Sequence, residues 1–384
     1  MILSGRWLRT ALMAAAVCYP VSAAAVPLVR GNCHVEFVPE LCLGYDAQFG
    51  QERTRLLQSI DYSLDYLNTD AAVSAYAEYP ISSITRERVQ RSLVRFRQLV
   101  ATSHSAQQLQ QAVRQEFEFY RSVGNDGQGQ VEFTGYFEPT YTASAVPTAE
   151  YRYPLYGLPT DLDTWPLPHP TRAELEGTDG LQGENGPLAG LELVWLRDRL
   201  EAFLVQVQGS ARLQLTDGSV MSVGYAGRTE YPYISIGRAL VKDGIVEESE
   251  LSLPVLLDYF EQQPEALDRY LPQNDRFVFF KATGGSPPIG NLNVPVTAGR
   301  SIATDKTLMP PGALALISLE LPIPTTADSW QSIPVNRYVL DQDTGGAIRG
   351  PGRVDIFVGT GIEAGEQAGL INTSGQLYYL LLRE

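Results

Sequence analysis

Residues 341–359 read Asp-Gln-Asp-Thr-Gly-Gly-Ala-Ile-Arg-Gly-Pro-Gly-Arg-Val-Asp-Ile-Phe-Val-Gly, the densest polar cluster in the chain. Its second half predicts a strand. Alternation along Val354-Asp355-Ile356-Phe357-Val358 puts the three aliphatic residues on one face and Asp355 beside Phe357 on the other. A carboxyl group in that position is partly desolvated, which raises its pKa toward the range a proton donor needs near neutrality. The same Asp also suits a structural part, hydrogen-bonding a backbone turn at Gly350 or Gly352. The local sequence leaves both readings open.

Outward from this stretch, the texture back to Val131 is of short β-type runs broken by Gly and Pro. Strands are expected at residues 131–137, 202–208, 212–215, 219–225, 276–280, 313–319, 335–340, 353–358 and 376–382, with Asp217-Gly218 as a hairpin turn. Residues 143–190 carry many Pro and Gly and little periodicity, as in a long, loop-laden insertion. Short helices are expected from Ser235 to Val241 and from Leu253 to Gln263. Before Val131 the chain reads as helical. Leu56, Ile60, Leu64 and Leu67 recur at helical spacing, as do Val89, Leu93, Phe96 and Val100, and Leu109, Val113, Phe117 and Tyr120 after a Ser105–Gln108 capping box. Arg86, Arg88, Arg91 and Arg97 between them read as a solvated face, the alternative being contact with an anionic polymer.

The 384 residues are 44% hydrophobic and 19% charged, enough for a sizeable core and for two to three domains, and 34 Gly with 25 Pro favour a β-rich build over a helical bundle. The formal charge of −15 disfavours nucleic acid as a partner. Residues 1–25 resemble a secretory signal peptide: Arg6 and Arg9, an apolar stretch from Ala11 to Val17, and Ala23-Ala24-Ala25 at the cleavage site. Its removal takes the charge to −17. A lipid anchor at Cys18 is disfavoured by Val17, where a small residue is wanted. In an oxidising compartment Cys33 and Cys42 are expected to pair as a disulfide, the alternative being two unpaired thiols. His34, His104 and His169 are scattered without metal-ligand spacing, so no metal is expected. No G-x-S-x-G elbow, Walker loop or dinucleotide fingerprint stands out. Asp343-Thr344-Gly345 has the form of an aspartic-protease loop, but that mechanism needs two such loops and one is present. The catalytic currency left is carboxylate.

Six blocks then occur in a telling order: Phe133-Thr-Gly-Tyr136-Phe-Glu-Pro139, Val207-Gln208-Gly-Ser210, Val223-Gly-Tyr225-Ala-Gly227, Ser235-Ile-Gly-Arg238, Arg300-Ser-Ile-Ala-Thr-Asp305 with Pro310-Pro311-Gly312, and Asp343-Thr-Gly-Gly with Val354-Asp355-Ile356. Over residues 130–382 the chain resembles the membrane-bound lytic murein transglycosylase A family, and its last part, about 295–382, resembles the three-aspartate (3D) domain, the three being Asp305, Asp343 and Asp355. The resemblance implies a mainly β fold with N-terminal helices: a double-psi β-barrel domain from residues 26–136 and 236–384, an inserted smaller β-barrel domain from 137–235, and a substrate groove between them.

The implied activity is cleavage of the β-1,4 bond between N-acetylmuramic acid and N-acetylglucosamine in peptidoglycan, at strand ends or within strands, leaving 1,6-anhydromuramic acid. One carboxyl group suffices for this, because the sugar's own 6-hydroxyl replaces an activated water. The resemblance places that acid/base at Asp355, with Asp343 in support. Asp305 is expected in the same substrate-facing cluster in a more structural part. Thr134, Gln208 and Ser210 are expected to bond sugar substituents, and Tyr136, Tyr225 and Tyr233 to stack on pyranose rings, although ordinary packing suits each tyrosine equally. No cofactor is expected. The implied partner is the glycan strand, the protein acting as an exported monomer in the periplasm or cell envelope. Family members are commonly lipoproteins, so outer-membrane association stays open. Two alternatives remain: a hydrolase using Asp355 and Asp343 as a pair, and a non-catalytic glycan-binding protein on the same scaffold.

Overall fold

A computed structural model of the protein describes residues 26–31, 43–326 and 329–384. The expected signal peptide, Cys18 and the Cys33–Cys42 pair lie outside the described residues. In chain order the elements are β1 (Leu28–Gly31), α1 (Phe49–Leu67), α2 (Asp70–Ala77), α3 (Arg86–Thr102), α4 (Ala106–Glu116), β2 (Phe117–Ser122) and β3 (Val131–Glu138). Then come β4 (Thr140–Ser144), β5 (Tyr153–Tyr156), α5 (Arg172–Glu176), β6 (Glu192–Leu196), α6 (Arg199–Gln208), β7 (Ser210–Leu215) and β8 (Val220–Arg228). After α7 (Ile236–Lys242), α8 (Leu253–Gln262) and α9 (Leu267–Tyr270), the chain ends with β9 (Val278–Ala282), β10 (Ser301–Ala303), β11 (Leu314–Thr326), β12 (Ser329–Asp343), β13 (Arg353–Thr360), α10 (Ile362–Leu370) and β14 (Asn372–Leu382).

The expected helical stripes pack as the spacing requires: Leu56, Ile60, Val89, Leu93, Phe96 and Val100 are all buried in the main core. Thr85 caps α3 by accepting from the Arg88 amide. At α4 the capping box forms by half. Ser105 accepts from the Gln108 amide, but the Gln108 side chain accepts from the His104 amide instead of that of Ser105. The helix stops at Glu116, so Phe117 and Tyr120, read as helical, belong to strand β2, where pairing with β14 overrides their spacing. Arg88 also departs from the solvated face. It is buried, with its guanidinium on Glu118 and on the Leu382 carbonyl.

One sheet has the order β1-β2-β14-β11-β12-β10-β13-β3, and a further β14–β3 pairing closes its last six strands into a ring. Register and alternation put Phe133, Ile302, Ile317, Val339, Val354 and Ile356 on the ring's inner face, all essentially inaccessible. Two of its neighbours are parallel, β3 with β13 and β10 with β12. Helix α1 is tied to the ring by polar groups that leave no slack: the Gln342 amide donates to the Ser59 carbonyl (2.8 Å) and to Ser63 Oγ (3.0 Å), while Ser301 donates to Gln342 Oε1. Arg300, wholly buried, pairs with Asp46 at 2.5 Å and Glu52 at 2.8 Å.

The second sheet runs β5-β6-β4-β7-β8-β9, and a single parallel bridge between Gly157 and Phe280 draws its two edges together. Its last strand lies well past residue 235, the expected close of the insertion, because β9 pairs antiparallel with β8 from Val223 to Arg228. The Asp217-Gly218 hairpin forms as read. Residues 202–208 do not form the expected strand. Asp198 accepts from the amides of Leu200 and Glu201 to start α6, and Gly209, at φ +79°, ends it in the left-handed conformation that favours glycine. With α2, α5, α6, α9 and α10 unforeseen, the molecule is mixed α/β, richer in helix than expected.

Candidate active site

Ala303 of β10 stands at the centre of the site. It is in register with Asp343 on parallel β12 and with Asp355 on antiparallel β13, and Asp355 is in turn in register with Thr134 on β3. Neighbouring strands lie about 4.8 Å apart, so the two aspartates sit roughly 10 Å from each other at the backbone. Because Val354 and Ile356 fill the ring interior, Asp355 and Phe357 face outward, as the alternation predicts.

Asp355 lies deep against protein, yet 22% of its side chain is open to the cleft. Thr134 Oγ1 donates a short hydrogen bond to Asp355 Oδ1. Arg353 Nη2 donates to Thr134 Oγ1 at 2.8 Å and lies 3.5 Å from Asp355 Oδ1. Burial pushes the Asp355 pKa up, and the pull of Arg353 and of the Thr134 bond in the other direction does not cancel it. Among the described residues nothing hydrogen-bonds Oδ2.

Asp343 closes β12 in a different setting. Its Oδ1 accepts from the amides of Asn291 and Thr344, both at 2.8 Å, and its Oδ2 accepts from the Tyr136 hydroxyl at 2.8 Å. Burial raises this pKa too, against those three donors and the charge of Lys306. The Tyr136 ring packs at 5.2 Å on Phe357, its register partner.

Asp305 is 5% exposed and lies outside the cleft. It receives the Thr307 hydroxyl (2.7 Å) and amide (3.1 Å) on one oxygen and the Gly350 amide (2.9 Å) on the other. Burial works to raise its pKa, but these donors and Arg349 outweigh it and hold the carboxyl below its usual range. Asp305 thus fastens the loop between β12 and β13, in keeping with the more structural part expected of it within the cluster. Asp341, which opens the polar cluster of residues 341–359 but is given no part by the sequence reading, is wholly buried with Lys306, Thr304 and Tyr379 on its oxygens.

The two sheets face each other across a cleft of about 530 Å³. Asp343, Asp355 and Tyr136 line it from the ring, and Gln208, Ser210 and Tyr225 from the other side. An adjoining recess of about 450 Å³, lined by Thr134 and Arg353, shares Gln208 and Tyr233 with the cleft, so the two form one run across the junction. Two of the expected residues also hold the carboxylates. Thr134 holds Asp355, and Tyr136 holds Asp343 through its hydroxyl. Gln208 Oε1 is occupied by the Phe137 amide at 3.2 Å. Tyr225 is 45% exposed on the cleft wall. Arg228, Arg276 and Arg349 also line the cleft. Sequence reading missed all three, since they come from separated segments with no shared periodicity.

Two family models match the chain: the MltA specific insert domain over residues 132–281, and the 3D domain over residues 300–381. The membrane-bound lytic murein transglycosylase A of Vibrio cholerae is 33% identical over 259 residues, 67% of each chain, and that of Escherichia coli K12 is 33% identical over 263 residues, 68% of each. The chain belongs to the membrane-bound lytic murein transglycosylase A family. Its MltA-like fold is seen in the crystal structure of the Agrobacterium tumefaciens membrane-bound lytic murein transglycosylase, at a TM-score of 0.69, 27% identity, and 88% of this chain against 95% of that one. E. coli MltA with bound chitohexaose superimposes at 0.69 with 25% identity, covering 94% and 95%. The insert-domain match carries Thr134, Tyr136, Gln208, Ser210 and Tyr225, and the 3D match carries Asp305, Asp343 and Asp355. The cleft lies where the two matched segments meet.

Proposed function

We propose that this lytic murein transglycosylase cleaves the β-1,4 bond between N-acetylmuramic acid and N-acetylglucosamine with Asp355 as its single acid and base. The observation that carries the reading is the contrast in free lone pairs. Both oxygens of Asp343 are taken by protein donors, whereas Asp355 keeps Oδ2 for the substrate. Protonated Asp355 gives its proton to the glycosidic oxygen as the bond to the muramyl anomeric carbon breaks. The oxocarbenium-like centre that develops is attacked by the 6-hydroxyl of the same sugar, and the Asp355 carboxylate recovers the hydroxyl proton. The tethered hydroxyl acts at high effective concentration, so no second carboxylate is needed to activate water. Thr134 and Arg353 orient the acid through Oδ1, and Asp343 supplies fixed negative charge near the cationic centre.

The parallel pairs in the closed six-strand ring favour a double-psi β-barrel, and the bridge between β5 and β9 favours a smaller barrel for the second sheet. The glycan strand lies in the run between them, an assignment supported by the chitohexaose bound to the E. coli relative. An exported, envelope-associated protein agrees with relatives named membrane-bound. Among the described residues no helix is long and apolar enough to cross a membrane.

Digestion of purified sacculi followed by mass spectrometry tests the reaction. Fragments lighter by one water than those from a muramidase, without reducing muramic acid ends, are expected. Mainly hydrated, reducible ends mean a hydrolase, and no release from sacculi means a binding protein.

A further inference from the structure

The cleft carries charge opposite to that of the molecule. On a chain with a formal charge of −15, Arg228, Arg276, Lys281 and Arg349 all line it, against the two carboxylates Asp343 and Asp355. Among the described residues none of these four cations forms a salt bridge. Arg276 is 7% exposed, held by a 2.7 Å bond from Nε to the Tyr231 carbonyl, and Arg228 Nη1 reaches the Thr229 carbonyl at 3.3 Å. Burial, Arg228 and Arg349 together push the Arg276 pKa down to about 10. The charge of Arg349 also helps to hold the Asp305 carboxyl low.

The position of this cluster is built. The Arg276 guanidinium lies so close over Gly346 that a Cβ there would stand 1.7 Å from Nη1. Any side chain at position 346 would displace that guanidinium from the loop that follows Asp343. Like charges gathered in a half-desolvated cleft repel one another, and an isolated buried cation is costly unless an anion meets it. A neutral sugar polymer offers nothing to offset that cost. A carboxylate does, and a guanidinium fork is the side chain best shaped to receive one.

We infer that Arg228, Arg276 and Arg349 form a carboxylate-recognition site that reads the acidic substituent of the muramyl residue and so separates peptidoglycan from neutral N-acetylglucosamine polymers. The inference rests on the proposed function, since it names a feature of the substrate in the same cleft. The carboxylate has two sources. In strands stripped of peptide it is the lactyl group itself, and in strands with stems it belongs to the peptide.

Equilibrium binding is measured on an Asp355→Asn background, so that no ligand is consumed. Three probes are used: the neutral N-acetylglucosamine hexamer, peptide-free glycan strands, and strands bearing intact stems. At least one anionic probe is expected to bind tenfold or more tighter than the hexamer, and the probe that does identifies the source. That preference should weaken with added salt. Arg276→Gln and Arg349→Gln should each reduce the ratio of anionic to neutral affinity by at least fivefold, and Arg276→Lys should restore most of it. Arg349 is exposed, so its variant stays informative if Arg276→Gln fails to fold. Equal affinity for all three probes, or a ratio unchanged in the Arg349→Gln variant, overturns the inference. Failure of the cleavage reading shows separately, in the sacculus digestion by the parent enzyme, and leaves this comparison readable.

Discussion

Asp355 and Asp343 flank the same alanine on neighbouring strands, yet one sits mid-strand with an oxygen free and the other ends a strand with both oxygens bonded. The difference comes from backbone. Around Asp355 the backbone of β13 pairs with β3 on one side and β10 on the other, and Asp355 finds only side-chain partners. At the end of β12 the chain leaves the ring, and the amides of Thr344 and Asn291 become available to a carboxylate. Two acids of one type thus acquire different chemistry from their place along a strand, and burial raises the pKa of each without making them equivalent.

The largest expected effect separates them outright. Asp355→Asn keeps the Thr134 contact in a nearly isosteric side chain but cannot give or recover a proton, so turnover should fall by about 10³-fold or more while glycan binding and folding persist. Asp343→Asn loses charge but can keep the Tyr136 contact, with the hydroxyl turned to accept. A loss of about tenfold, the equivalent of ~1.4 kcal/mol in the barrier, is expected. Steady-state rates on solubilised glycan strands measure both. Equal losses would erase the contrast and favour a two-carboxylate hydrolase.

A smaller effect sharpens the part played by Thr134. Its hydroxyl donates to the Asp355 carboxylate and so favours the charged form; removing it in Thr134→Val leaves burial less opposed and raises the Asp355 pKa further. Activity requires the protonated acid and therefore declines as pH rises through that pKa. The alkaline limb of kcat/KM should move to higher pH in the variant, with a reduced maximum from lost orientation. A limb that stays in place, or moves down, would assign it to another group.

How much of this was legible in the sequence depends on the range of the interaction. The outward face of Asp355 follows from five consecutive residues. Thr134 as its partner requires the parallel register of β3 with β13, over 200 residues apart in the chain, and no local pattern encodes it. The run Ala202–Gln208 misled because its alternating valines fit a strand, although Asp198 and Gly209, the signals that cap α6, stand in plain view at either end. Phe117 and Tyr120 misled in the opposite sense: helical spacing continued past the point where pairing with β14 takes over. Arg276 over Gly346 joins segments about 70 residues apart through a contact that only the packed sheets create.

The smallest expected effect tests whether the third aspartate stands apart from the other two. Asp305 is buried outside the cleft and fastens Gly350 and Thr307, so Asp305→Ala leaves those donors without their acceptor at a cost of about 1–3 kcal/mol in stability. Its folded pKa lies below the unfolded value, so its ionised form favours folding: the stabilisation is fully present above the unfolded pKa of about 4 and is lost as pH falls through the depressed folded value. Urea unfolding of parent and variant across this range should show a constant gap near neutrality that narrows in acid. Turnover at neutral pH should fall less than in Asp343→Asn, because the loop between β12 and β13 is loosened while both cleft carboxylates remain on their strands. A variant of parental stability that loses turnover as deeply as Asp355→Asn would place Asp305 in contact with the glycan.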